Sequence, residues 1–208
     1  MNVGIIGAGR IGSNVGRLLA QAGHAVFYSF SRSEEKLREL ATATGDPNRW
    51  GTPAEAVAFA EVVLLSPPYG ELDRALAAAG PMTGKIVIDT VNPFGAGGPA
   101  YAQGGTAAQE IASKLPGAEI VKAYNHIYYV HIAERHHAKP RLVAFICGDS
   151  GPAKATVTQV VEDTGFLVWD LGALAAARWT EPHGPLFNQP MTEAEAMEAV
   201  AALPSLPD

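Results

Sequence analysis

The stretch Asn2-Val3-Gly4-Ile5-Ile6-Gly7-Ala8-Gly9-Arg10-Ile11-Gly12 decides the fold. Val3–Ile6 is a short apolar run that reads as a buried strand, and Ile11–Ala22 reads as a helix with Ile11, Val15, Leu18 and Leu19 on one face. Between them stands a Gly-x-Gly-x-x-Gly. Gly7 suits a tight turn, Gly9 lets a pyrophosphate approach the backbone, and Gly12 permits close helix packing. The helix opening there aims free N–H groups and a positive dipole end at phosphates. Strand, turn and helix in this order predict a Rossmann dinucleotide site built on Gly7, Ala8, Gly9, Arg10, Ile11 and Gly12. An ordinary glycine-rich turn is the alternative.

The pattern repeats downstream. His24–Phe30 reads as a strand and Ser33–Thr44 as a helix, and Asn48–Gly51 has room for a very short strand. Helices at Thr52–Ala60, Glu71–Ala79 and Thr106–Leu115 alternate with strands at Glu61–Leu65, Lys85–Asp89 and Glu119–Ala123. Short apolar strands separated by helices imply a parallel sheet covered on both faces, wound in both directions from its centre. Further on, strands at Arg141–Cys147 and Phe166–Asp170 flank a helix at Pro152–Asp163. A helical segment from Leu174 to Trp179 is broken by Pro182 and Pro185, and Thr192–Ala202 closes the chain, with Thr192 and Glu195 spaced as a capping box. Gly95–Gly98 with Pro99 reads as a mobile connector, His131–Arg141 as a solvated loop or helix end, and Leu203–Asp208 as a frayed tail. The expected fold class is α/β: a Rossmann, doubly wound, mostly parallel sheet with extra C-terminal strands and a small helical C-terminal part. Residues 1–123 form the nucleotide-binding core, and residues 124–208 extend the sheet within one compact unit.

Composition narrows the function. Of the 208 residues 48% are hydrophobic and 17% charged, which supplies a core and argues against disorder. A net charge of −6 without a basic stripe argues against nucleic-acid partners. Cys147 is the one cysteine and lies in the apolar run Leu142–Cys147, so a buried core thiol is expected. No Cys/His pair has zinc spacing, and His131, His136 and His137 read as surface residues, so no metal is expected. There is no charged leader with an apolar signal segment, and no apolar run approaches the ~18–20 residues of a membrane span. The expectation is a cytoplasmic soluble protein that does not bind membranes.

The second strand's end chooses between the two dinucleotides. An acidic residue there would favour the ribose hydroxyl of NAD. The chain instead reads Tyr28-Ser29-Phe30-Ser31-Arg32-Ser33, with no acid before Glu34. Arg32 offers a planar, permanently charged fork that suits a phosphate. Ser29, Ser31 and Ser33 add hydroxyls, and Lys36 lies one helical turn further on. This predicts NADP. The plainer reading makes Ser31 and Glu34 a capping box and leaves Arg32 solvated. At the next strand ends, Ser66-Pro67-Pro68 forms a stiff loop that can present an apolar edge to the dinucleotide. Thr90, Asn92 and Pro93 occupy the equivalent place after Lys85–Asp89, and Ala123 and Asn125 follow the strand after that.

These motifs resemble the NADPH-dependent coenzyme F420 reductase (F420H2:NADP oxidoreductase) family. The resemblance runs from about Val3 to Asn188. It rests on Gly7–Gly12, Ser31-Arg32-Ser33-Glu34-Glu35-Lys36, Val87-Ile88-Asp89 with Asn92-Pro93, and Val121-Lys122-Ala123-Tyr124-Asn125. The C-terminal run Leu171-Gly172-Ala173-Leu174 through Arg178-Trp179-Thr180-Glu181-Pro182, leading to Pro185-Leu186, weighs most, because generic Rossmann proteins lack it. It implies NADP on Gly7–Gly12, Ser31, Arg32 and Lys36, and a homodimer. It also implies coenzyme F420, a deazaflavin, stacked on the nicotinamide near His126-Ile127 and Pro185-Leu186-Phe187. Hydride would then pass directly between the two rings, a reaction of proximity and orientation that requires no dedicated acid or base.

His126 departs from the pattern, standing where the family carries a small Thr. It is either a hydrogen-bond or proton donor to the acceptor or a filler of the cleft. With Tyr128 and Tyr129 beside it, the acceptor's identity stays open: F420, or a flavin, a ferric species or a small carbonyl or imine. A non-catalytic NADP(H) sensor is a further alternative. β-Hydroxyacid dehydrogenases and pyrroline-carboxylate reductase-like enzymes fit less well, because only 85 residues follow Ala123 and they hold two expected strands rather than a long helical region.

Overall fold

The computed structural model of the chain describes residues 1–94 and 105–206. The Gly95–Pro99 connector lies outside them. The elements run β1 (Asn2–Ile6), α1 (Arg10–Gln21), β2 (Ala25–Ser29), α2 (Glu34–Ala43), β3 (Trp50–Gly51), α3 (Pro53–Phe59), β4 (Val62–Leu65), α4 (Leu72–Ala79), β5 (Ile86–Asp89), α5 (Ala107–Lys114) and β6 (Glu119–Lys122). There follow α6 (Tyr129–Glu134), β7 (Val143–Gly148), α7 (Gly151–Asp163), β8 (Leu167–Asp170), α8 (Ala177–Thr180) and α9 (Glu193–Ala201).

The strands form an eight-stranded sheet in the order β3-β2-β1-β4-β5-β6-β7-β8. Every pairing is parallel except β6 with β7, where Val121 faces Gly148 and Lys122 faces Cys147. The fold is an α/β, Rossmann-like, mostly parallel sheet. Its strand order reverses between β1 and β4, which is where ligands bind such sheets.

Alternation along the strands builds two cores. Val3, Ile5, Val62, Leu64, Ile88 and Val121 face one layer with Val15, Leu19, Val157 and Val161 of α1 and α7. Ile6, Val63, Leu65, Val87 and Ile120 face the other, with Leu72, Ala75 and Ile111 of α4 and α5. All four residues of β4 are buried, as a strand with helices on both faces requires. Each such side chain contributes roughly 1.5–3 kcal/mol by leaving water. Val143, Phe145, Leu186 and Ala196 form a smaller third cluster under the C-terminal segment. Cys147 is buried.

Several expectations shift. Tyr129–Glu134, inside or next to the stretch read as a loop or helix end, forms α6. Asn14 Nδ2 of α1 donates to the Tyr129 carbonyl at 3.0 Å and anchors it. The expected helix Leu174–Trp179 splits into a tight turn at Leu174–Ala176 followed by α8. Helix α2 is capped by Ser33, whose hydroxyl accepts from Lys36 N at 3.2 Å, and not by a Ser31–Glu34 box. The reason is the left-handed turn at Phe30 (φ 57°), which delays helical geometry until Glu34. Thr192 and Glu195 do make their capping box: the Glu195 carboxylate accepts from Thr192 N at 2.8 Å.

Candidate functional site

The residues at the carboxyl edge of the sheet enclose a cleft of about 550 Å³. Its rim begins at the glycine turn. Gly7 has φ 107°, donates its N–H to the Ser29 carbonyl at 3.1 Å, and lies so close to the Ser66–Pro67 backbone that a Cβ would collide with it. Gly9 is the opposite case. It caps α1, and a Cβ there would meet nothing within 4 Å. That open space lies directly before the N-terminus of α1, whose first turn carries Arg10 and no acid. An anion fits there on charge, dipole and room together.

Gly9, Arg10 and Ile11 line the cleft; Gly7, Ala8 and Gly12, also expected at the cofactor, are buried and do not line it. Ser66, Pro67 and Pro68 form its second wall, joined by Tyr69. Tyr69 donates its hydroxyl to Glu110 at 2.7 Å, and burial with that carboxylate pushes the phenol up to about 12. Thr90, Val91, Asn92 and Phe94 follow β5, and Asn125 to Tyr129 follow β6. Phe187 and Asn188 close the far side.

The predicted phosphate cluster stands apart from this space. Ser31, Arg32, Ser33 and Lys36 do not line the cleft; they sit beyond β2, next to Phe30, whose carbonyl holds Ala8 N at 3.3 Å. Arg32 and Lys36 are exposed, and no carboxylate among the described residues pairs with either. Arg74, not expected from the sequence, brings a further cation 4.7 Å over the Phe30 ring. Ser29 is corrected to a structural role: it is fully buried and its hydroxyl donates to the Ile5 carbonyl at 2.8 Å.

Other expected positions also fall outside the cleft. Ala123 is fully buried, and its N–H donates to the Asp89 carbonyl at 3.1 Å. Pro93 is buried beside the cleft without lining it. Leu186 turns into the third core cluster, Pro185 faces outward, and only Phe187 of that trio reaches the cleft. Phe187 pairs with Phe94 at 6.0 Å between ring centres, and Tyr128 packs on Tyr129 at 4.5 Å. The Arg10 guanidinium lies 4.6 Å from the Tyr129 ring centre. Two aromatic pairs thus belong to the cleft's lining.

The floor is polar and tightly held. Asn92 Nδ2 donates to the Asn125 carbonyl at 2.7 Å, and Asn125 Nδ2 donates to Asn92 Oδ1 at 3.1 Å and to the Thr180 carbonyl at 2.8 Å. His126 packs on Phe145, whose N–H donates to Nε2 at 3.2 Å. Burial pushes the His126 imidazole down to about 3, opposed only in part by the Val143 carbonyl. The ring is neutral at ordinary pH and is no imidazolium acid.

Behind this floor lies a group that the sequence reading did not assemble. Lys122 Nζ contacts Asp89 Oδ2 at 2.9 Å and Glu181 Oε1 at 3.2 Å, all three side chains being inaccessible to water. It also donates to the Val91 carbonyl. Glu181 accepts from Ala107 N and Ala108 N, both at 3.0 Å, capping α5. Burial works against the Lys122 charge, but the two carboxylates outweigh it and hold its pKa above the usual lysine range. One cation thereby ties β5, β6, α5 and the end of α8 together under the Thr90–Asn92 loop. The sequence signal was a lysine inside the apolar run of β6.

Against this geometry the likenesses to known proteins become informative. Residues 2–93 match the family described as NADP oxidoreductase, coenzyme F420-dependent. The chain is 30% identical over 182 residues to the metalloreductase STEAP3 of Rattus norvegicus, covering 86% of this chain and 35% of that protein. It thus spans about a third of that relative's length. Among solved structures, the hypothetical protein SMa0349 from Sinorhizobium meliloti superposes with a TM-score of 0.82 at 25% identity, covering 93% of this chain and 95% of the other. A protein from Arthrobacter sp. FB24, described provisionally as an F420-dependent NADP reductase, gives 0.72 at 26% identity over 86% and 87%. Together these likenesses support an NADP-dependent oxidoreductase. The family match covers the glycine turn, the Ser31–Lys36 cluster and the Ser66–Pro68 wall.

Proposed function

We propose that the chain transfers hydride between NADP(H) and a flat conjugated acceptor, foremost the deazaflavin coenzyme F420. The observation that carries the reading is a single sheet edge where an open anion-accepting turn at Gly9 and Arg10 adjoins an aromatic-bordered cleft. The residues fit a dinucleotide: Gly9 leaves the room a pyrophosphate takes, and Arg32 and Lys36 stand uncommitted where a ribose phosphate would lie. Bound NADPH supplies the hydride. The protein's part is to bind, orient and exclude water. Pro67, Pro68 and Tyr69 stiffen one wall, Asn92 and Asn125 fix the floor, and Phe94, Phe187 and Tyr128 offer ring faces for stacking. Neutral His126 suits a reaction governed by orientation rather than by an imidazolium acid.

A second reading takes the electrons through a flavin to a ferric species, favoured by the relative named a metalloreductase. Incubating the chain with NADPH and, separately, F420, FMN or a ferric chelate distinguishes them. Consumption with F420 supports the first reading, and consumption only with the ferric chelate and flavin supports the second. Binding of NADPH with no consumption overturns both and leaves a sensor. Arg32→Ala checks the cofactor choice. Removing a hydrogen-bonded charge costs about 1.5–3 kcal/mol, or roughly 10–150-fold in the KM for NADPH, with NADH little changed. Equal effects on the two cofactors would refute the phosphate role.

A further inference from the structure

We infer that Lys122 positions the nicotinamide half of the dinucleotide without touching it, by fixing the backbone of the Thr90–Asn92 loop at the cleft. This rests on the NADPH reading above, and it gives the buried charge group a part in binding besides bracing the fold.

Strand β5 ends at Asp89, which stands opposite Lys122 of β6. Thr90 is still tied to the sheet, its N–H and hydroxyl both donating to the Leu65 carbonyl, at 3.0 and 3.2 Å. Val91 instead gives both of its backbone groups to charged side chains. Its N–H donates to Asp89 Oδ1 at 2.8 Å, and its carbonyl accepts from Lys122 Nζ. Lys122 Nζ also donates to Asp89 Oδ2 at 2.9 Å, so carboxylate, ammonium and peptide groups close a ring around Val91. Both side chains are shut off from water, which therefore competes little for these bonds. Asn92 extends the grip, its Nδ2 donating to the Asn125 carbonyl at 2.7 Å. Asn125 Nδ2 in turn donates to the Thr180 carbonyl at 2.8 Å, and the next residue, Glu181, holds Lys122 Nζ at 3.2 Å. One ammonium thus reaches both segments of the floor.

Thr90, Val91, Asn92 and Asn125 line the cleft, while Lys122, Asp89 and Glu181 do not. On the NADPH reading the pyrophosphate lies at Gly9 and the ribose phosphate beyond β2. The second mononucleotide half then extends over the ends of β4, β5 and β6, where those four lining residues stand. Exchanging a whole buried ion group for apolar side chains is often neutral or stabilising, so what the charges add here is geometry. An apolar side chain could fill the space of Lys122, but it could not hold a peptide carbonyl in one direction.

Two ligands separate positioning from simple bracing: NADP+, and adenosine 2′,5′-bisphosphate, which keeps the adenine and its ribose phosphate but has no nicotinamide. Calorimetric titration of the full chain, at a temperature where circular dichroism shows it folded, gives both affinities. Lys122→Met, which breaks the ring, should weaken NADP+ about tenfold and leave the bisphosphate unchanged. NADPH at saturation should also show a lower nicotinamide fluorescence anisotropy on this variant than on wild type. Asp89→Asn, which keeps Lys122 paired with Glu181, serves as the second variant and carries the test where Lys122→Met does not fold. An amide has one oxygen, which can serve Val91 or Lys122 but not both, so the same split between the ligands is expected. Equal losses for the two ligands, or no loss for either in a folded variant, would leave the group a brace and overturn the inference alone. Failure of wild type to bind NADP+ overturns the NADPH reading and this inference with it.

Discussion

Replacing His126 with Gln removes a group that the fold holds neutral. Burial places its folded pKa at about 3, against 6.5 for a solvated histidine. Below pH 6.5 the unfolded chain therefore binds a proton that the folded chain refuses, so stability falls as pH falls. At about pH 5 the difference is ~1.5 pH units at 1.36 kcal/mol each, or about 2 kcal/mol, and the loss deepens until pH nears 3. Above about pH 7.5 the contribution is flat. For a chain of this size, 1 kcal/mol moves Tm by roughly 2–4 °C, so wild type should lose about 4–8 °C between about pH 8 and pH 5 on this account alone. Other carboxylates and histidines also titrate there, so the informative quantity is the difference between wild type and His126→Gln. Circular dichroism melts of both proteins at the two pH values measure it. Identical pH dependence in the two proteins would refute the reasoning, as would an NMR titration placing His126 near 6.5.

Lys122→Met strands Asp89 and Glu181 in the interior without their cation. Leaving buried charge uncompensated costs about 3–5 kcal/mol, so Tm should fall by roughly 6–20 °C, and a shift of a degree or less would deny the cluster its structural role. Gly9→Val should fold normally, since its side chain meets open space, yet bind NADP+ at least tenfold more weakly. Unchanged affinity by fluorescence titration would show that no pyrophosphate approaches there. Gly12→Ala, by contrast, drives a methyl into the Gly7 carbonyl and should lower Tm as well as affinity.

Much of this architecture was legible because physics leaves few options for its pattern. Val62–Leu65 and Val143–Gly148 are apolar, β-branched runs that only buried strands accommodate, and Gly7 with Gly9 marks the turn between β1 and α1. Helix α6 was obscure because Ile132 is its one buried residue; its position comes from Asn14, over a hundred residues away. The cap of α2 fell to Ser33 because the left-handed Phe30 sets where the helix can begin, and nothing in Ser-Arg-Ser reveals that dihedral. Similarly, Pro185, Leu186 and Phe187 are adjacent in sequence, but the turn around Gly184 sends one outward, one inward and one to the cleft. The Lys122–Asp89–Glu181 group spans three distant segments, and its pairing is fixed by sheet register alone.

The single antiparallel step from β6 to β7 also divides labour in the chain. By reversing direction once, it leaves β8 ending away from the glycine turn, so the chain crosses back over one face of the sheet through Leu174–Thr180 before Phe187 and Asn188 join Arg10 in lining the cleft. The glycine turn and the stretch 187–188 that lines the same cleft are thereby encoded far apart in the chain. Exchanging 187–188 would alter one part of the cleft lining while leaving the glycine turn unchanged, whereas Tyr129 is tied to that turn's helix through Asn14 and Arg10.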